Sequence, residues 1–331
     1  MKKTVLIQPA RFELEVASSS HPAEAAAKVA ILLCTYNGAD FLALQLDSIV
    51  QQIHKDWVIY ASDDGSSDAT LSILQRYQQK LGAERLIVQQ GPRQGFAQNF
   101  MSLIKNPMIK ADYYAFSDQD DIWFEDKLER GLAGLSSTSP TLPALFCSRT
   151  RLVDASGRVI GYSPLFTKAP SFRNALVQSL GGGNTMLLNT AARDLLAKTP
   201  DDAHIVSHDW LTYLLVSGCG GPVVYDPLPT LDYRQHNDNL MGSNSTIVGR
   251  WARMRKMFVG TFCEWNDHNL NVLNSNQLSL TGESLITLKC FEHARECNFL
   301  KRIYLLRKAG LYRQSSLDNI ALLLAASIGR I

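Results

Sequence analysis

Four short apolar runs mark the first 120 residues, and a polar cluster closes three of them. Val29-Ala-Ile-Leu-Leu-Cys34 is unbroken, the pattern of a strand buried on both faces. It stops at Thr35-Tyr36-Asn37-Gly38. Trp57–Ala61 reads as a second strand and runs into Ser62-Asp63-Asp64-Gly65-Ser66-Ser67-Asp68. Leu86–Val88 is a third. Tyr113–Phe116 is a fourth, ending in Ser117-Asp118-Gln119-Asp120-Asp121. Between the strands, apolar positions recur at helical spacing: Leu42, Leu46, Ile49, Val50 and Ile53, then Leu71, Leu74, Tyr77 and Leu81 before Gly82. Gly95 to Ile104 reads as a loop entering a helix.

Strand alternating with helix predicts an α/β fold with a doubly wound, mostly parallel sheet. Ligands of such sheets bind beyond the carboxyl ends of the strands. The clusters at 35–38, 62–68 and 117–121 should therefore share one edge.

The second half is less regular. Ala144–Cys147 and Thr185–Leu188 read as strands, Gly181-Gly182-Gly183-Asn184 as a loop before the latter, and Asp209 to Val216 as the start of a helix. From about residue 246 the pattern is helical and basic, with Arg250, Arg253, Arg255 and Lys256 around Trp251, Met254, Met257 and Phe258. Residues 298–331 repeat that flavour. The expected division is an extension or linker over 1–28, an α/β domain over 29–245 and a basic amphipathic helical region over 246–331. Those last helices carry two readings: ordinary packing on the core, or contact with an anionic membrane surface.

Composition narrows the field. The 331 residues are 46% hydrophobic, enough for a sizeable core, and the net charge of +2 gives no general argument for nucleic-acid binding. The six cysteines form no C-x-x-C pair and read as reduced thiols of a cytoplasmic protein. Residues 1–15 are too polar for a signal peptide, and no apolar stretch reaches the ~20 residues that span a bilayer.

Candidate chemistry concentrates in Asp118-Gln119-Asp120-Asp121. Three carboxylates at a strand end repel one another unless a cation lies between them. Mg²⁺ is usually held by one or two carboxylates plus substrate phosphates. The pattern therefore predicts a divalent ion and a phosphorylated substrate. Taken alone, Asp63-Asp64-Gly65-Ser66 is equally a turn and helix cap, and Asp209 a favourable first-turn charge.

The order Cys34-Thr-Tyr-Asn-Gly38, Ser62-Asp-Asp-Gly-Ser-Ser-Asp68, Phe116-Ser-Asp-Gln-Asp-Asp-Ile-Trp123 resembles the family 2 glycosyltransferases, inverting enzymes of the GT-A fold that use nucleotide-sugar donors. Within them it is most similar to the rhamnosyltransferase-like branch of bacterial surface-polysaccharide synthesis. The resemblance covers roughly residues 29–242 and implies a set of roles. Thr35, Tyr36 and Asn37 would line the base and ribose pocket, Asp63 would accept from a base imide, and Asp64 would support the nucleotide. Arg93 and Asn99 belong to a segment that closes over the nucleotide. Asp118-Gln-Asp120 matches the D-x-D element, with Asp120 on a Mg²⁺ or Mn²⁺ ion, Asp118 on the ribose or a metal-bound water, and Asp121 orienting them.

Gly183, Asn184, Thr185 and Trp123 fall on the sugar and acceptor side. Ser207-His208-Asp209-Trp210 stands where the family usually has Glu-Asp before a helix, which makes Asp209 the implied general base and leaves His208 without an assigned role. In Tyr233-Arg-Gln-His-Asn237, Arg234 would reach the phosphates and His236 the metal or diphosphate. The implied partners are a UDP- or dTDP-sugar (dTDP-rhamnose by branch) and a lipid-linked glycan acceptor. The implied location is the cytoplasm, peripheral to the inner face of the membrane. A sugar nucleotidyltransferase and a non-catalytic subunit of the same fold remain the alternatives.

Overall fold

A computed structural model describes residues 27–235, 261–275 and 280–331. Nine strands form one sheet: β1 (Val29–Thr35), β2 (Trp57–Asp63), β3 (Leu86–Gln90), β4 (Tyr113–Ser117), β5 (Ile122–Trp123), β6 (Leu145–Asp154), β7 (Val159–Tyr162), β8 (Leu187–Asn189) and β9 (Val223–Gln235). Their order is β3-β2-β1-β4-β8-β6-β9-β5, with β7 added beside β6. The four strands read from the sequence pair in parallel. Beyond β4 the sheet turns mixed, because β8 runs antiparallel to both β4 and β6, while β9 is parallel to β6.

Every residue of β1 is buried. Successive side chains of a strand point to opposite faces, so Val29, Ile31 and Leu33 enter one core and Ala30, Leu32 and Cys34 the other. The first core is closed by α1 (Leu42–Val50), α2 (Thr70–Leu81) and α4 (Lys127–Leu135). The second is closed by α3 (Phe96–Lys105), α5 (Phe172–Ala175), α6 (Thr190–Ala197) and α7 (His208–Gly218). A continuous apolar run is what burial on both faces requires.

The C-terminal helices α8 (Thr261–Ser275), α9 (Gly282–Glu296), α10 (Phe299–Ala309) and α11 (Ser316–Ser327) extend this second core. Phe262, Leu273, Phe291, Leu306 and Ala325 belong to the same buried cluster as Leu32 and Phe116. Trp210 of α7 stacks on Phe262, with ring centroids 6.1 Å apart. Packing on the core is thus the observed use of their buried faces. The basic segment 246–260 lies outside the described residues.

Thr185, expected in a strand, instead belongs to a short 3-10 turn, Gly183–Thr185, which precedes β8. The antiparallel sense of β8 matters for the site. Leu187 pairs with Ala115 and Asn189 with Tyr113, so the chain enters β8 near the carboxyl end of β4. The glycine-rich turn is thereby delivered to the rim that carries Asp118.

Candidate active site

The three polar clusters meet on one edge and are bonded to one another. Thr35 Oγ1 donates to Asp63 Oδ2 at 2.8 Å. Asn37, at φ +48°, donates its N–H to Ser66 Oγ and accepts from Ser67 N–H, both at 2.8 Å. A short amide side chain tolerates that left-handed backbone. Gln119 binds the main chain of Tyr36, and Gly38 leaves no room for a Cβ because the Gln119 side chain occupies the space. Tyr36 itself is 58% exposed, its ring available to a ligand.

Asp63 is buried. Its Oδ1 accepts from Gly65 and Ser66 N–H and its Oδ2 from Thr35 and Ser66 hydroxyls. A carboxylate has about four acceptor positions, so the loop takes them all. Asp63 organises the pocket, and the expected bond to a base imide would have to displace one of these four. Asp64 accepts from the N–H groups of Arg93 (2.6 Å) and Gly95 (2.9 Å), pinning the 91–95 loop over the edge, with the exposed Arg93 at φ +59°. Asn99 is buried and bonded twice to Ser62, so it braces β2 from below rather than facing a nucleotide.

The acidic cluster converges. Burial and the charges of Asp120 and Asp209 push the Asp118 carboxyl up to about 8. Burial and the charges of Asp120 and Asp118 push Asp121 upward too, opposed by a hydrogen bond from Asn184 and by Lys127. Lys127 lies buried under the cluster with its ammonium 4.6 Å from the Trp123 ring centre; burial lowers it to about 7. Sequence reading missed Lys127, because nothing in a one-residue signal marks a buried lysine. Trp123, expected beside the sugar, is only 2% exposed and belongs to the core under α1 and α4. Its place in β5, paired with β9, turns the ring inward.

Arg234, expected on the phosphates, is buried and braces backbone. Its guanidinium donates to Asp120 O (3.2 Å) and Ala155 O (3.0 Å), with Phe41 4.6 Å beneath it. It thus holds the acidic loop from behind. His236 lies outside the described residues.

Asp209 sits in the first turn of α7. Its Oδ1 accepts from Ser207 Oγ (2.5 Å) and Trp210 N–H (2.7 Å). Among the described residues its Oδ2 has no hydrogen-bond partner. One oxygen is anchored and the other is open. His208 points the other way: 4% exposed, stacked on Phe100 with centroids 3.9 Å apart, edge-on to Phe116, both ring nitrogens unpartnered. Burial lowers its pKa to about 4, so the ring is neutral.

Among the described residues no three His, Cys, Asp or Glu side chains form a ready ligand group for a metal. Burial and, after it, the repulsion of Asp120 and Asp209 raise the Asp118 carboxyl, and that repulsion is what a divalent cation would relieve. The donor set of hard carboxylate oxygens suits Mg²⁺ or Mn²⁺ completed by substrate phosphates.

Comparison with known proteins decides the family. The glycosyl transferase family 2 profile matches residues 30–179. The dTDP-rhamnosyl transferase RfbG of Shigella flexneri is 30% identical over 234 residues, 67% of this chain and 78% of that protein. The chain belongs to glycosyl transferase family 2. It is a glycosyltransferase of the rhamnosyltransferase-like kind. The poly(ribitol-phosphate) beta-glucosyltransferase of Bacillus spizizenii is 35% identical over 100 residues, 28% of this chain but 15% of that protein. Among solved structures, S. aureus TarS 1–349 in complex with UDP-GlcNAc aligns with a TM-score of 0.52 at 15% identity, covering 86% of this chain and 93% of that one. A mannosyltransferase of Pyrobaculum calidifontis in complex with GDP-Man and Mn²⁺ aligns at 0.50 and 15% identity, covering 92% and 86%. At that identity these two show the fold, which is GT-A.

Proposed function

We propose that this glycosyltransferase is metal-dependent and inverting, and that it moves a sugar from a nucleoside diphosphate to a hydroxyl of a lipid-linked surface-polysaccharide precursor. The likeness to a dTDP-rhamnosyl transferase favours dTDP-rhamnose as donor. The observation that carries the reading is Asp209, with one oxygen fixed by Ser207 and Trp210 and the other open, close enough to Asp118 for their charges to interact.

Thr35, Tyr36 and Asn37 form the base and ribose side of the pocket, shaped by Asp63 and closed by the Asp64-pinned Arg93 loop. Asp120, supported by Asp118, would hold the cation, which supplies charge neutralisation for the departing diphosphate. Asp209 Oδ2 takes the proton of the acceptor hydroxyl. The acceptor's hydroxyl oxygen forms the new bond to the anomeric carbon as the bond from that carbon to the phosphate oxygen breaks, and the nucleoside diphosphate leaves with the electron pair. An ordinary Asp is a weak base, with a pKa of about 3.9, so holding it in place must supply much of the effect. Gly183, Asn184 and Thr185, expected at the acceptor, are buried, so they support the acidic loop from within rather than line the acceptor side.

No helix among the described residues is long and apolar enough to cross a membrane. Two helices are nonetheless apolar on the outside. On α11 and its C-terminal cap, Leu317, Ile320, Leu324 and Ile328 form one outward stripe without a charge. On α10, Leu300 (77% exposed) and Tyr304 share the outer face with Lys301, Arg307 and Lys308, and the helix has no acid. Cations beside exposed apolar side chains suit an anionic bilayer, where a lipid-linked acceptor resides.

A thermal-shift screen of UDP, dTDP and their sugars with Mn²⁺ or chelator tests the core of this reading. A true donor raises the midpoint by mass action, and chelator should remove most of the rise. A chain indifferent to every nucleotide sugar in the presence of Mn²⁺ and Mg²⁺ would refute it.

A further inference from the structure

The turn before β8 touches both halves of the reaction centre. Asn184 Nδ2 donates to Asp121 Oδ2 at 2.6 Å, and both side chains are buried. Among the described residues it is the one hydrogen bond to the Asp121 carboxylate; the other oxygen, Oδ1, is buried without a partner there. Asp121 follows Asp120 directly, so this bond fixes the far side of the acidic loop. One residue earlier, Gly183 lies against the His208 ring: a Cβ there would fall 2.1 Å from His208 Nε2 and 2.9 Å from Cε1. His208 in turn is the residue before Asp209, and Phe100 and Phe116 hold its ring.

A buried imidazole with two unpartnered nitrogens forfeits the hydrogen bonds it would make in water. Its compensation is steric. A flat, rigid, neutral ring fills the space between the Phe100–Phe116 wall and the Gly183 backbone. The turn is internally stiff as well: Thr185 N–H and Oγ1 both donate to Gly182 O, and Met186 N–H donates to Gly183 O.

We infer that Gly183–Asn184 is a strut that sets the distance between the acidic loop and the Asp209 carboxylate, with Asn184, Gly183 and His208 as positioning residues. Asn184 fixes the cation side through Asp121, and Gly183 fixes the base side through His208. The two contacts are on consecutive residues of one turn, so neither half can shift without the other. The inference rests on the proposed reaction and adds to it how the two halves are kept in register.

Two sets of variants test it. Asn184→Ala releases Asp121. The Mn²⁺ concentration needed for half-maximal dTDP or UDP binding should rise several-fold, and transfer should fall at least about tenfold, since misplacement near 1 Å can cost on the order of a hundredfold. Asn184→Asp keeps the volume but places carboxylate against carboxylate, so it should raise the Mn²⁺ requirement further; it serves as the second variant should Asn184→Ala unfold. Gly183→Ala should lower turnover by clashing with His208, and Gly183→Ala with His208→Ala should recover part of that loss. Recovery is a coupling that independent structural damage would not produce.

Wild-type binding without any metal effect would sink the proposed reaction itself. Metal-dependent binding in wild type, with an unchanged Mn²⁺ requirement in both Asn184 variants, would overturn the strut alone. A double variant as slow as the product of its singles would do the same.

Discussion

Gln119 grips the main chain of Tyr36 from both sides: its Oε1 accepts from Tyr36 N–H at 2.8 Å and its Nε2 donates to Tyr36 O at 3.0 Å. One side chain thus ties the loop after β1 to the loop after β4. The residue between the two motif aspartates is variable in a D-x-D pattern, yet here it does structural work across the pocket. Gln119→Ala should weaken nucleotide binding while leaving the fold within about 1–2 kcal/mol of wild type, the worth of two partly exposed hydrogen bonds. Calorimetric titration with UDP or dTDP plus Mn²⁺ checks it; unchanged affinity would show that Tyr36 needs no such brace.

Asp209→Asn keeps the hydrogen bonds to Ser207 and Trp210 available through its oxygen but removes the proton acceptor. Donor affinity should stay within about twofold, while transfer falls by about 100-fold or more, the usual contribution of a general base. Weakened donor binding with turnover intact would assign Asp209 to the nucleotide instead.

Asp120→Ala should abolish the Mn²⁺-dependent part of nucleotide binding and leave the metal-free part. Asp118→Asn is the useful contrast. Burial, with the charges of Asp120 and Asp209, holds the Asp118 carboxyl near 8, so it is mostly protonated at neutral pH without a cation, and the amide should cost less. Equal loss in both variants would make Asp118 an equal metal ligand.

His208 predicts a pH effect on stability. Its pKa is lowered by burial, against a smaller opposing effect of Asp209, from an ordinary 6.5 to about 4. Above pH 6.5 the ring is neutral in both folded and unfolded chains and contributes no pH dependence. As pH falls below 6.5 the unfolded chain takes up the proton first, so stability drops, by about 2 kcal/mol at pH 5. Urea unfolding of wild type and His208→Leu at pH 7 and pH 5 isolates this. The wild type should lose more on acidification, and equal losses would refute a neutral buried ring.

The outer faces of α10 and α11 give a separable test. Leu317→Asp with Ile320→Asp should abolish sedimentation with anionic vesicles. Arg307→Glu with Lys308→Glu should lower binding chiefly at low salt, where about 1 kcal/mol per basic residue is at stake. Full binding by both variants would place the membrane contact elsewhere or nowhere.

The parallel half of the fold was legible because β1, β2 and β4 are buried on both faces and therefore spell continuous apolar runs. The later strands were not. β5 has two residues, β7 is mostly exposed, and β9 contains Pro227 and Pro229 and pairs irregularly with β6. None of these carries a clean period of two. In the site, residue types were readable and orientations were not. Trp123 and Arg234 belong to chemically suggestive motifs, but β5 and β9 pair with each other and turn both side chains inward. Asn99 and Asp63 are polar in the right places, yet Ser62 and the 63–66 loop claim them. Hydrogen bonds between loops 30 to 80 residues apart leave no trace in local pattern. Gln119 and Asn184 owe their importance to such bonds.

The last fifty residues share their apolar interior with the sheet that bears the donor pocket. Leu306 and Ala325 sit in the same continuous hydrophobic mass as Phe116, two residues before Asp118. Shortening the protein at its tail would therefore strip a wall from the catalytic body, and heat should melt tail and pocket together in one transition. Whatever surface those helices rest upon is mechanically continuous with the place where the glycosidic bond is made.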